Sequence, residues 1–398
     1  MIQEIKIKNF LSFKDETTLS FIAGKDTFGE ETQVVEVEPG VRLLRFVALY
    51  GANASGKSNF LKVFEFLWLF WSDPFLKIGD KIKNITPFLF DQSTPKQPSE
   101  FEIVFYFKAV KYRYTLQVTQ NEVVSEELYY YKNERQTTVF KRYLEGRLSK
   151  IEYGKEIKLS KIVKNELELK CLINMSLFSA SLHLNIEIPI LTETYWFLRS
   201  LFWKIEAFDI SFNVSDDDTL MKDFLKDADF NISKFKNIGV GKEQQTLVGH
   251  SVKNNSGEEV YYLPSGNESD GTKTVVYVVQ QLIDNCFETD DNGEDIHHCL
   301  SADELEKSLH PDLFEKILHF FLNLENNQNQ LVIATHYSGL LETVNHLIRK
   351  DSVRFVDKKE NGSSEIYSLA DFKGLEKIDS IYKTYRKGCF GAVPNISY

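Results

Sequence analysis

The first twenty residues alternate between apolar and polar positions. Ile5 and Ile7 are interleaved with Lys6 and Lys8, and Leu19 and Phe21 follow a polar turn at 14–17, which predicts two strands, each with one apolar face. Residues 42–50, RLLRFVALY, predict a further strand that runs directly into a glycine-bounded loop. The helix expected after it, 58–71, is apolar on nearly every face and should be buried on both sides. From 100 to 153 the pattern becomes short β-prone runs, among them FEIVFYF, YRYTLQV and VVSEELYYY, with polar gaps at 120–121 and 132–133. These runs predict an antiparallel meander. Residues 160–235 read as mostly helical. Beyond 260 the periods alternate: helix 271–286, strand 299–302, helix 311–324, strand 330–334, helix 338–349, strand 352–356. Such alternation implies an α/β fold, with two halves that must join in one sheet across the meander and the helical insertion.

Length and composition narrow the function classes. The 398 residues allow two or three domains, and 42% hydrophobic with 26% charged residues is the make-up of a globular chain. The longest apolar run, 60–71, is interrupted by Lys62 and Glu65 and is too short for a bilayer span of about 20 residues. No continuous apolar signal segment stands at 1–10, so the cytoplasm is expected. Cys171, Cys286, Cys299 and Cys389 form no CxxC pair, which fits a reducing compartment and free thiols. With a net charge of −11, any nucleic-acid contact needs a local basic patch.

Residues 51–58, GANASGKS, form a complete GxxxxGK[ST] phosphate loop between a strand and a helix. Gly51 and Gly56 permit the tight turn, Asn53 and Ser55 lie within it, Lys57 places a charge on the β- and γ-phosphates, and Ser58 offers a hydroxyl to Mg²⁺. Asn59 continues the motif. Mg²⁺ also needs a carboxylate and an attacking water needs a base, and Asp303 and Glu304 after the 299–302 strand would supply both. An ordinary strand-to-helix turn with an acidic cap has the same form. His336, after the 330–334 strand, stands where it would reach a γ-phosphate or serve as a structural donor. Ser269 and Gly271, at the start of the 271–286 helix, make either an anion site or a plain N-cap. His297, His298 and Cys299 offer metal-ligand types, but neighbours on a strand point to opposite faces.

The order of these pieces is that of an ABC ATPase head, and the chain resembles the RecF/SMC-like branch of ABC ATPases, in particular the small bacterial ATPases of abortive-infection and other phage-defence operons. The resemblance rests on IKIKNFLSFKDETTLSF, GANASGKSN, PFLFD, ESDGTK, DELEKSLHP, ATH and YRKGCFGAVP, and leaves about 140–255 unmatched. It implies a mixed central sheet with an antiparallel β lobe and a helical insertion in place of a long coiled coil. The corresponding divisions are 1–155, 156–258 and 259–398. It further implies ATP with Mg²⁺ as ligands and a homodimer, or a higher oligomer, closed on ATP. Ser269 and Gly271 would contact the γ-phosphate held by the other subunit, 308–311 would cross the interface, His336 would be the switch histidine, and Gln92 is the candidate Q-loop glutamine.

The resemblance implies a sensor or regulator of an effector, a nuclease or toxin encoded nearby, with no membrane partner. One alternative is a DNA-binding repair clamp, for which 141–164 offers eight basic residues against three acidic ones. Another is a transporter motor, which would carry a longer signature than SDG.

Overall fold

The computed structural model describes residues 1–394 except 73–76, 206–213, 215–217, 229, 240–244, 256, 308 and 326. The chain divides into two compact units, Met1–Lys204 with His298–Ser301 and Gln328–Tyr398, and Ile205–His297 with Ala302–Asn327.

The first unit contains a seven-stranded antiparallel sheet. Its spatial order is Leu148–Tyr153, Arg135–Glu145, Val123–Lys132, Val110–Val118, Ser99–Phe107, Ile2–Lys8 and Thr17–Ser20. This is the expected meander with the N-terminal hairpin added to one edge. The alternation of the opening residues sets the register: Ile5 and Ile7 are buried, while Lys6 and Lys8 stand opposite Glu102 and Glu100 and bond them at 2.9 and 2.8 Å.

The second sheet has the order Phe202–Ile205, Cys299–Asp303, Gln330–Thr335, Phe46–Tyr50, Val353–Lys358 and Ser364–Ser368. Phe46–Tyr50 is fully buried and parallel to a neighbour on each side, with Leu331 opposite Phe46 and Val353 opposite Ala48. Ser364–Ser368 adds an antiparallel edge, so the sheet is mixed, as expected. Gln330, 1% exposed, ties the two sheets together: its Oε1 accepts from the Ile2 N–H at 2.6 Å and its Nε2 donates to the carbonyls of Ile2 and Leu44.

Between the sheets runs the helix Lys57–Ser72. Phe66 meets Phe101 at 4.8 Å, Trp71 meets Tyr114 at 5.5 Å and Phe64 stacks on Phe202 at 4.8 Å. Val47, Leu49, Val332 and Ala334 of the mixed sheet belong to the same core. Ser58, Lys62, Glu65 and Trp68 are exposed, Asn59, Leu69 and Ser72 are half-buried and the rest of the helix is buried, so the nearly all-round apolar pattern reports burial on both flanks.

Three expectations require correction. The stretch 42–50 is two strands, because the chain changes partners at Arg45. The Arg45 N–H donates to Gln33 and its carbonyl accepts from Leu331, so Val41–Leu44 pairs with Val34–Glu38 while Phe46–Tyr50 enters the mixed sheet. The helix expected over 338–349 is a 3₁₀ segment, Ser338–Thr343, which ends where Asn345 takes a left-handed φ of 66° and the Thr343 carbonyl collects the N–H groups of residues 346–348. The insertion is helical only at first, over Lys161–Lys170, Leu177–Ser181 and Pro189–Leu201.

The second unit then holds the short helix Thr219–Asp227, capped by Asp218, and a three-stranded antiparallel sheet, Ile232–Ile238, Gln245–Asn254 and Gly257–Pro264. Runs such as FKNI and EVYYLP carry the β-branched and aromatic residues that favour strands. The insertion also carries an SDDD run at 215–218, of which only Asp218 lies within the described residues.

The expected basic stretch also changes. Arg142 is 1% exposed and forms a 3.0 Å ion pair with fully buried Glu126, its neighbour across the ladder. Glu126 accepts further bonds from the Tyr114 hydroxyl at 3.0 Å and the Leu177 N–H at 2.8 Å, and burial raises its carboxyl above the ordinary range. Removing one partner of such a pair strands the other charge. Arg142→Met should therefore lose about 3–5 kcal/mol in denaturant unfolding, and Arg142→Met with Glu126→Leu should recover most of that loss.

Candidate phosphate-binding site

The strand Phe46–Tyr50 runs into Gly51 and the helix starts at Lys57, so the six residues 51–56 form one tight loop. A Cβ on Gly51 would lie 2.2 Å from the Val356 carbonyl oxygen, and one on Gly56 would lie 2.3 Å from Ser364 Oγ and 2.8 Å from Ser12 Oγ. Gly56 also has φ 117°. Space therefore requires glycine at Gly51, and space and backbone conformation together require it at Gly56. Ala54, exposed at the crown of the loop beside Asn53, adopts φ 60°, a conformation that costs a non-glycine residue about 1–2 kcal/mol.

Lys57 is 4% exposed and lies back over the loop, with Nζ donating to the carbonyls of Gly51 at 2.8 Å and Ala52 at 3.0 Å. His336 Nδ1 stands 3.5 Å from the same Nζ, so the sheet brings together two candidate residues 279 positions apart. His336 itself is exposed just beyond Gln330–Thr335. Ser55 Oγ is buried with no hydrogen-bond partner among the described residues, and Ser58 opens to solvent in the first helical turn. The first N–H groups of a helix lack intrahelical acceptors, so this end of Lys57–Ser72 suits an anion.

Two residues that the sequence pattern did not single out hold the loop from behind. The Ser364 hydroxyl donates to the Ser55 carbonyl, the Ser364 N–H donates to the Ser12 carbonyl at 2.7 Å, and the Asn59 amide donates to Ser12 Oγ at 3.0 Å. Ser12 lay in plain view within the NFLSF segment. Ser364 has no sequence signal, since its partner Ser55 is 309 residues away.

In the second unit, Ser269 caps the helix Asp270–Cys286, its Oγ accepting from the Thr272 N–H at 3.1 Å. Ser269 is exposed and Gly271 half-buried, an arrangement that serves a plain cap and an anion site equally well. Asp303 is exposed at the end of its strand, and Glu304 follows with φ 54°. Left-handed backbone at a non-glycine residue is uncommon and gathers at functional sites. Ser308, the first residue of the expected interface segment, lies outside the described residues.

Gln92 is exposed on a loop that the 2.7 Å Lys14–Asp91 ion pair pins down, and among the described residues no hydrogen bond joins it to the phosphate loop. His298 is buried with its ring against the Ser200 carbonyl oxygen, and no cluster of three or more His, Cys, Asp or Glu side chains among the described residues is placed to hold a metal, so a His297, His298, Cys299 centre is not formed. In the basic stretch, Lys150 is paired with Glu145 and Glu168 in addition to the burial of Arg142.

The loop geometry predicts opposite outcomes for two small substitutions. Ala54→Gly relieves left-handed strain, less the added freedom of the unfolded chain, and should raise stability by about 0.5–1 kcal/mol. Gly56→Ala forces a Cβ onto two serine hydroxyls and should cost about 1–3 kcal/mol. Chemical-denaturation midpoints of the two variants and the wild type check both signs.

Comparison with known proteins places this site in a family. A family model described as "AAA domain, putative AbiEii toxin, Type IV TA system" matches residues 46–342. No curated protein matches the chain. Among solved structures it is similar to the SMC head domain from Thermotoga maritima, at 14% identity and TM-score 0.41 over 92% of this chain and 98% of that one. It is also similar to the SMC head bound to the C-winged helix domain of ScpA, at 14% identity and TM-score 0.43 over 95% of this chain and 99% of that one. The family match runs from the strand before the phosphate loop to beyond His336, over most of the chain, and the chain therefore belongs to the AAA-domain family described as putative AbiEii toxin.

Proposed function

We propose that the chain binds and hydrolyses ATP with Mg²⁺ at the Gly51–Ser58 loop, as a cytoplasmic homodimer closed on two nucleotides. The observation that carries this reading is the loop itself: two glycines with no room for a side chain, a buried unpartnered Ser55 hydroxyl, and Lys57 laid over the loop carbonyls. Loop N–H groups and Lys57 cradle the phosphates, with Asn53 at the crown. His336, beside Lys57, donates to the γ-phosphate. Ser58 and Asp303 would hold Mg²⁺, which would offset the negative charge of the phosphates. So small a protein ligand set suits Mg²⁺, which keeps water and phosphate oxygens in most of its sphere.

Glu304, which follows the strand end at Asp303, takes the proton of the attacking water. Ser269 and Gly271 serve the nucleotide of the partner copy. Among the described residues no helix is long and apolar enough to cross a membrane. The burial of Arg142 and the pairing of Lys150 weaken the case for a DNA clamp.

Hydrolysis by such a head yields a closed-to-open transition and no damaged product, which favours a sensor or regulator that holds or releases an effector in anti-phage defence. The family description names a toxin, and that supports a second reading in which this chain is the toxic agent itself.

Two variants test the proposal. Glu304→Gln should bind Mg-ATP, lose at least about 100-fold in turnover and sediment as a closed dimer, whereas Lys57→Ala should fail at binding. Wild-type turnover in Glu304→Gln removes that residue from the mechanism. Expressed alone in a bacterial host, the wild-type gene should leave growth unaffected; growth arrest that Lys57→Ala abolishes would decide for the toxin.

A further inference from the structure

In the second unit, one polar contact lies a single residue from Ser269 and belongs to none of the roles above. Glu268 sits in the turn between the strand Gly257–Pro264 and the helix Asp270–Cys286, flanked by exposed Asn267 and Ser269, yet its side chain is only 6% exposed. His250, on the middle strand Gln245–Asn254, donates from Nε2 to Glu268 Oε1 at 2.8 Å. A carboxylate so far out of water is costly unless a partner compensates it, and the imidazole supplies that compensation.

The contact closes a small ring of chain. His250 stands opposite Tyr261 in the antiparallel ladder. From Tyr261 the chain runs through Pro264 and the 3₁₀ turn Ser265–Asn267 before Glu268 folds back onto the same His250. The Glu268 N–H donates to the Ser265 carbonyl at 3.2 Å, which tightens the turn. One peptide bond further on, Ser269 begins the helix, its Oγ accepting from the Thr272 N–H at 3.1 Å and its carbonyl from the Lys273 N–H at 2.9 Å. Exposed Ser269 is thus aimed by its backbone, which the helix holds on one side and Glu268 on the other. Without the His250 bond, Glu268 must turn to water, and the peptide that joins it to Ser269 turns with it.

We propose that His250 is a positioning residue: by holding Glu268 it sets the direction in which Ser269 meets the nucleotide of the partner copy. This rests on the shared-site reading and deepens it from the loop that touches the nucleotide to the strand that aims the loop. His250 acts through Glu268 and Ser269 alone, so its loss falls on turnover at the partner's Lys57 loop and leaves Mg-ATP binding intact.

The test uses mixed dimers of differently tagged copies, in which a Lys57→Ala copy can supply only Ser269 and a Ser269→Arg copy can supply only Lys57. His250→Leu added to the Lys57→Ala copy should lower turnover by about 10-fold or more, whereas the same substitution in the Ser269→Arg copy should leave it unchanged. His250→Gln in the Lys57→Ala copy should retain most of the turnover, because its amide can still donate to Glu268. Calorimetric titration of His250→Leu with Mg-ATP should give the wild-type affinity. Equal loss from either copy, no loss from the Lys57→Ala copy, or a His250→Gln loss as large as that of His250→Leu overturns the positioning role and leaves the shared site standing. Verified mixed dimers that show no turnover even with His250 intact overturn the shared site and this role with it.

Discussion

The phosphate loop depends on one strand being held from both sides by chain that arrives much later. Phe46–Tyr50 is buried along its whole length, and its two parallel neighbours are Gln330–Thr335 and Val353–Lys358. Without them, the strand has no ladder and the loop has no base. The same late segments supply the groups that shape the loop: the Val356 carbonyl limits Gly51, Ser364 braces Ser55, and His336 meets Lys57. Closing chain over such separations costs entropy that only the finished sheet and the helix Lys57–Ser72 between the sheets return. The fold is correspondingly rich in non-local pairing, which slows folding.

Ala54 and Glu304 are both non-glycine residues in left-handed backbone, and each follows a strand of the mixed sheet, Phe46–Tyr50 and Cys299–Asp303. Ligands in open α/β sheets bind beyond the carboxyl ends of the strands. The buried Arg142–Glu126 pair and Gln330 fix the frame of the first unit.

Much of this was legible in sequence where a local rule decides the outcome. Glycine spacing marks the loop, period-two alternation marks the meander, and a nearly uninterrupted apolar face marks the helix Lys57–Ser72. Long-range facts were not legible. Nothing in RLLRFVALY says that Arg45 changes sheets, because residues on both sides are apolar and the switch is made by Gln33 and Leu331. Arg142 reads as one charge in a basic run until Glu126 is placed opposite it on the next strand. Ser12 and Ser364 become loop residues only when the two ends of the chain meet. The 3₁₀ segment at Ser338–Thr343 is a local failure of another kind, since Asn345 is a recognisable stop that the apolar spacing overrode.

The central claim is that the Lys57 loop of one copy and the Ser269 loop of another complete a single hydrolytic site. Its most direct measurement is ATP turnover in mixtures of Lys57→Ala and Ser269→Arg protein, with mixed dimers verified by differently tagged copies. Each variant alone should be inactive, and mixing should restore turnover because each mixed dimer retains one site with an intact Lys57 and an intact Ser269. Verified mixed dimers with no turnover at any ratio would contradict the shared site.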